Sequence, residues 1–241
     1  MTLSLLLWND KSAHAPAPSK NSDAGAVPFT MKCEPIIDLS TTRTYGYEVL
    51  THLPDGINSE EYFSLLSFQH QLNLFYQQLA KIKLLSLRRY YSLNLPMRAL
   101  IDWPLIHAAI SASPAGLIIE IQDPNTFFAL SSDQRQAVFE VVCRLEALNI
   151  PVWLDDVTEK LITAFIAAKW HLSGIKLDKN TFWALSKTPD KLHHLIRMGR
   201  AVANLVIIEG IETEEHKAIA LGAGADLGQG YLWPALYPDN A

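Results

Sequence analysis

From Pro28 onward, short apolar or β-branched runs alternate with longer segments in which apolar residues recur every three or four positions. The runs fall at 35–39, 45–50, 90–95, 117–121, 151–155, 172–177, 204–208 and 226–232, and the amphipathic segments at 58–87, 97–112, 131–148, 157–169, 180–200 and 212–223. Short continuous apolar runs predict strands, and a period near 3.6 predicts helices. Near-continuous apolar strands separated by helices require a parallel sheet covered on both faces. About eight such units in about 215 residues predict an α/β fold, an irregular TIM-like (β/α)8 barrel, with a doubly wound open sheet as the alternative. The first two runs are joined by residues 40–44, too few for a crossover helix, so they should pair as an antiparallel hairpin.

Composition narrows the class. Residues 9–27 are rich in Ala, Pro, Ser, Asn and Lys, a composition that cannot bury enough surface to order itself. The expected organisation is a disordered leader over 1–27 and one barrel domain over 28–241. The chain has 20 Lys and Arg against 25 Asp and Glu, and its longest basic run is Arg88-Arg89. Direct nucleic-acid binding is therefore not expected. Cys33 and Cys143 are isolated in sequence, which disfavours a disulfide framework or zinc finger and fits a reducing, cytoplasmic compartment. The apolar run at 3–8 lacks a preceding Lys or Arg and stops at Asn9-Asp10, unlike a signal peptide. No stretch reaches the roughly 18 apolar residues of a membrane span.

The candidate chemistry lies in polar residues placed where strand periodicity predicts core. Glu48 interrupts YGYEVL, Asn94 falls in SLNLP, Glu120 in LIIEI, Asp155-Asp156 close VWLDD, Lys176 sits in GIKLD and Glu209 follows VII. Strand ends of one barrel face converge in space. Buried carboxylates repel one another unless a cation compensates them, and hard oxygen donors suit Mg²⁺ or Mn²⁺ better than zinc. A lysine among them can hold a phosphate oxygen or a water. Such a set matches metal-assisted hydrolysis of a phosphate ester. Trp103, Trp170, Trp183 and Met198 read as packing residues, and Asp178 as a helix cap.

The blocks KCEPIIDL, YGYEVL, SLNLP, IIEIQD, WLDD, GIKLD, IIEGIETEEH and GADLGQGYLWPAL, in this order over about residues 32–236, resemble the EAL domain family of cyclic di-GMP phosphodiesterases. The resemblance implies an irregular barrel and hydrolysis of cyclic di-GMP to linear pGpG, which lowers a second messenger of motility and biofilm formation in bacteria. It implies that Glu48, Asn94, Glu120 and Asp155 ligate a first Mg²⁺ or Mn²⁺ and that Asp156 serves a second. Lys176 would orient the attacking water, and Glu209 would be general base or a second-site ligand. Gln229, Leu50, His52 and Glu34 would line the substrate site.

This chain departs from the family pattern at four places. His52 stands where the family usually has a phosphate-binding Arg, and Glu34 where it usually has Gln. The loop after the aspartate pair reads Val157-Thr158-Glu159-Lys160 in place of Phe-Gly-Thr-Gly, and its usual glutamate anchor is shortened to Asp123. A rearranged loop is expected, since both glycines are lost. Three readings follow: a phosphodiesterase, a degenerate regulator that binds a protein partner such as a flagellar regulator, or a cyclic di-GMP receptor without turnover. Residues 157–169 have an apolar face that suits either a homodimer contact or barrel packing.

Overall fold

The computed structural model describes residues 30–54, 56–84, 89–111 and 116–238. The expected leader over 1–27 lies outside the described residues. Eight strands close into one barrel in chain order: β1 (Thr30–Asp38), β2 (Thr44–His52), β3 (Tyr90–Leu95), β4 (Leu117–Ile121), β5 (Val152–Val157), β6 (Leu172–Leu177), β7 (Ala203–Ile208) and β8 (Leu227–Gly228). The predicted hairpin is present, with β1 antiparallel to both β2 and β8 and every other neighbouring pair parallel. Asp38 shapes its turn by accepting hydrogen bonds from the backbone N–H groups of Ser40 and Thr41, the usual work of an aspartate at a tight turn.

Helices cover the outer face: α1 (Ser59–Ser64), α2 (Phe68–Ile82), α3 (Trp103–Ile110), α4 (Thr126–Ala129), α5 (Ser132–Ala147), α6 (Glu159–Ala167), α7 (Lys179–Leu185), α8 (Pro189–Gly199) and α9 (Glu214–Gly222). Three predicted single helices divide at caps. Asn58 and Ser67 each accept a hydrogen bond from a first-turn N–H, which splits 58–87 into α1 and α2. Asp102 ends a 3-10 turn at Met97–Ile101 and caps α3. Pro189 opens α8 after α7 has closed, as proline suits a first helical turn but not an interior. Asp178 accepts from the Thr181 N–H at 2.8 Å and caps α7, as expected.

The buried stripes of α2, α5 and α6, among them Phe75, Leu79, Val138, Leu145, Ile162 and Phe165, pack on the strands. Trp170 is buried in an aromatic group with Phe127 and Phe165, and Trp183 donates its Nε1–H to the Gly210 carbonyl. The last strand is shorter than the predicted 226–232. Gly230 has φ 152°, and a Cβ there would fall 2.3 Å from the Ile211 carbonyl oxygen, so only glycine lets the chain turn out of the sheet at this point. The chain then returns to β1, where Cys33 and Leu236 exchange both backbone hydrogen bonds and close the seam.

Candidate metal centre

The inward side chains at the strand C-terminal mouth form one contiguous polar cluster. Glu34 lies opposite Glu48 across the hairpin, and Asn94 is in register with Glu120. Asp155 and Asp156 are consecutive, so a regular strand would send them to opposite faces. The β5–β6 register shifts between Leu154 and Val157, and Asp156 adopts a left-handed φ of 50°. This bulge re-aims the second carboxylate. As a result, carboxylate oxygens of Asp155, Asp156 and Glu209 lie within 4.8 Å of one another, as do those of Glu48, Glu120 and Asp155. Asp155 belongs to both clusters.

Lys176 sits at the centre with no solvent exposure. Its Nζ lies 3.1 Å from Glu48 Oε2, 2.5 Å from Glu120 Oε1, 3.2 Å from Asp155 Oδ1 and 2.8 Å from Glu209 Oε1. Gln229 donates from Nε2 to Glu48 Oε2 at 2.7 Å and to Glu34 Oε2 at 3.2 Å. Asn94 donates from Nδ2 to Glu48 Oε1 at 2.9 Å. The amides thus hold Glu48 and leave their own oxygens free: Asn94 Oδ1, Gln229 Oε1 and Glu120 Oε2 are buried without a hydrogen-bond donor.

One lysine cannot neutralise five carboxylates. Burial raises the Asp155 pKa to about 6 and the Glu209 pKa to about 8 against the pull of Lys176, and pushes Glu120 well above the carboxylate range. Burial raises Asp156 as well. Glu48 is the exception. Burial works against its charge, but Lys176 and the two amides hold its pKa down. Lys176 is opposed by burial and carried well above the usual lysine value by Asp155, Glu120, Glu209 and Glu48. Excess negative charge together with orphaned buried oxygens is the donor chemistry of a hard divalent cation.

A cavity of about 420 Å³ opens beside the cluster. Glu48, Asn94, Asp155 and Asp156 form one wall, to which Leu50 also contributes. The opposite wall comes from α1 and α2, with Phe63, Gln71, Leu74, Phe75 and Gln78. Sequence reasoning missed this wall because those positions read as the core face of one amphipathic helix. The buried glutamine among them is the signal it carried. Gln78 is buried and bonds Thr51 Oγ1 at 3.4 Å. His52, Glu34, Gln229, Lys176 and Glu209 lie outside the cavity lining. The His52 ring meets the edge of Tyr237, with centroids 5.1 Å apart. Asp123 lines the cavity and accepts from the Met97 N–H at 2.6 Å, which ties the end of β4 to the turn after β3. Beyond the bulge, Val157 pairs with Leu177 and α6 starts at Glu159, so Val157 and Thr158 alone separate the aspartate pair from the helix.

Fold and site together define a TIM-like barrel with an oxygen-donor centre at its strand ends. The EAL domain model matches residues 26–235, and the chain belongs to the EAL domain family. Cyclic di-GMP phosphodiesterase TpdA of Vibrio parahaemolyticus is 29% identical over 122 residues, which span 49% of this chain and 20% of that protein. The BlrP1 manganese and cyclic di-GMP complex from Klebsiella pneumoniae superposes with a TM-score of 0.68 at 19% identity, covering 91% of this chain and 58% of that one. A stand-alone EAL protein from Vibrio cholerae, in its c-di-GMP-bound form, gives 0.64 at 18% identity, covering 86% and 91%. The chain therefore spans a fifth of TpdA and somewhat over half of BlrP1. Among the described residues no helix is long and apolar enough to cross a membrane.

Proposed function

We propose that this protein is a divalent-metal-dependent phosphodiesterase that hydrolyses cyclic di-GMP to linear pGpG. The observation that carries the reading is the pair of carboxylate clusters sharing Asp155 around a buried lysine. Family membership supports it, as does the presence of Glu48, Asn94, Glu120, Asp155, Asp156, Lys176, Glu209 and Gln229 at the positions where the resemblance implies ligands and catalytic groups. A first Mg²⁺ or Mn²⁺ would be held by Glu48, Asn94, Glu120 and Asp155, and a second by Asp155 and Asp156, with Glu209 beside them as the base. Bound there, the ions would supply Lewis-acid polarisation of the phosphate and a lowered pKa for the attacking water.

The protein's own groups account for the rest. Gln229 and Asn94 clamp the two oxygens of Glu48, which fixes its carboxylate plane at little entropic cost once the substrate arrives. Lys176 keeps its proton and, as the fixed positive charge among Glu48, Glu120, Asp155 and Glu209, would orient the attacking water. Glu209 Oε1 faces Lys176 at 2.8 Å and takes the proton that water releases as its oxygen attacks phosphorus. The bond from phosphorus to the 3′ oxygen breaks, that oxygen takes a proton from solvent to become the free 3′ hydroxyl of pGpG, and Glu209 returns its proton to solvent. The cavity of β2–β5, α1 and α2 accommodates the flank of the substrate beside the scissile bond.

The test is a hydrolysis assay with cyclic di-GMP in Mg²⁺ and then Mn²⁺, comparing the protein with Glu48→Ala. Turnover to pGpG that the substitution removes supports the reading. Binding without turnover selects the receptor reading. The absence of both, in protein that takes up manganese, selects the protein-binding regulator.

A further inference from the structure

The cavity occupies only one flank of the metal centre: its lining comes from β2 to β5 and from α1 and α2, with nothing from β1 or β8. Cyclic di-GMP is a ring of two guanosines and two phosphates with twofold symmetry, so one guanosine lies to each side of the scissile phosphate and the second phosphate lies across the ring. If one half fills the cavity, the other must cross Glu48 toward β1 and β8.

That second flank is not blank. Lys32 is paired with Leu50 across the hairpin and shares a strand face with Glu34. Its ammonium lies 2.6 Å from Glu34 Oε1, and Glu34 Oε2 accepts from Gln229, which also holds Glu48. Two side chains therefore connect Lys32 to a metal-ligand carboxylate. Partial burial lowers the Lys32 pKa, Glu34 more than offsets this, and the nearby Tyr237 and Tyr231 hydroxyls add smaller contributions in the same sense. The two tyrosines are placed by the chain's exit from the barrel. Gly230 turns Tyr231 outward, where it is 79% exposed, and the bridge between Cys33 and Leu236 seats Tyr237 against His52.

Resting on the phosphodiesterase reading above, we propose that Lys32 and Tyr231, with Tyr237 beside them, form a second substrate subsite that takes one guanine and its adjoining phosphate. Lys32 provides on β1 the positive charge that the resemblance assigns to the β2 position held here by His52. A lysine holds phosphate as a point charge, and an exposed tyrosine ring offers a base a stacking face. An anionic ligand competes with Glu34 for the ammonium, so Lys32 is a binding and positioning residue and does not touch the reacting atoms.

The test is calorimetric titration of cyclic di-GMP into Ca²⁺-loaded protein, for the wild type, Lys32→Met, Lys32→Arg and Tyr231→Ala, with Mn²⁺ uptake measured in parallel. Lys32→Met should weaken nucleotide binding about tenfold or more, as expected for loss of a charged hydrogen bond, and Lys32→Arg should largely restore it. Tyr231→Ala should weaken it at least about fivefold, the lower range of base stacking. All four should take up Mn²⁺ alike. Wild-type affinity in Lys32→Met and Tyr231→Ala overturns this subsite and leaves the phosphodiesterase reading standing. Loss of Mn²⁺ uptake in Lys32→Met makes Lys32 a structural prop of Glu34 and overturns the subsite too. A wild type that takes up Mn²⁺ but no cyclic di-GMP overturns both.

Discussion

The lower and upper halves of the barrel interior are built from the same strands, two residues apart. Ile36, Ile118, Trp153, Ile207 and Leu227 pack together in the lower half. Glu120, Asp155 and Glu209 stand two positions along the same strands and meet around Lys176, and Glu34 and Gln229, at the matching positions, join them through Glu48. One step of the period-two pattern thus separates a dry apolar plug from a ring of charge. The lower layer gains free energy from burial and packing alone. The upper layer holds like charges away from water and needs cations to offset their repulsion. Stability and chemistry are therefore placed in different layers, and substitutions in each should have opposite signatures.

The largest expected effect is on turnover. Glu48→Ala removes a carboxylate that Asn94, Lys176 and Gln229 all engage, and should lower kcat on the order of a thousandfold or more, in line with several kcal/mol of metal-assisted stabilisation. In chelated protein Glu120→Gln, which neutralises a carboxylate whose pKa is raised by burial and by the neighbouring Glu48 and Asp155 charges, should raise the melting temperature, because it relieves like-charge repulsion in the upper layer. A variant both inactive and less stable without metal would break the division between the layers.

The mirror experiment is Trp153→Ala. This side chain has no solvent exposure, and its loss should cost about 3–5 kcal/mol, roughly a 10 °C fall in Tm for a chain of this size. Manganese binding by the folded fraction, read by titration, should stay close to that of the wild type. Affinity that collapses in parallel with stability would show that the plug positions the ligands as well as supporting them.

Much of the upper layer was legible in the sequence because a carboxylate inside an apolar strand breaks a strong pattern. Glu120 in LIIEI and Lys176 in GIKLD are such interruptions, and the structure brings both to one point. The cavity wall was not legible. Phe63, Leu74 and Phe75 obey helical periodicity whether they face core or ligand, and nothing local distinguishes the two. The joint use of Asp155 in two clusters was also hidden, since it depends on the bulge at Asp156, where a residue other than glycine takes a left-handed φ. Breaks between helices followed local capping chemistry and could have been read at Ser67 and Pro189. Periodicity alone runs across such breaks.

A smaller effect is expected from pH. In protein stripped of divalent ions, burial raises Asp155 to about 6, Glu209 to about 8 and Glu120 well above the carboxylate range. Such groups bind more protons folded than unfolded. Their contribution is fully present below the unfolded pKa and is lost as pH rises through the folded one. Chelated protein should lose on the order of a few kcal/mol between about pH 5 and pH 8, and excess magnesium should flatten the curve by replacing protons with metal. Urea unfolding at stepped pH, with and without magnesium, measures both curves. A gap between them that fails to widen toward pH 8 contradicts the charge argument.

The smallest effect probes the boundary between the layers. Gly174 lies below Lys176 on β6, and a Cβ at that position would come within 2.7 Å of Trp153 Cδ1 and Nε1. Its φ is not in the left-handed region, so Gly174→Ala tests space and not backbone strain. The ring is fully enclosed and rigid, so the added methyl must push it or β6 aside, at about 1–3 kcal/mol for overpacking. If the plug absorbs the displacement, Tm falls by several degrees and manganese affinity stays within about twofold, as expected for independent sites. If β6 moves, Lys176 moves with it and the carboxylates lose their common partner, so affinity and turnover fall together. The ratio of the two losses then measures how rigidly the apolar layer holds the charged one.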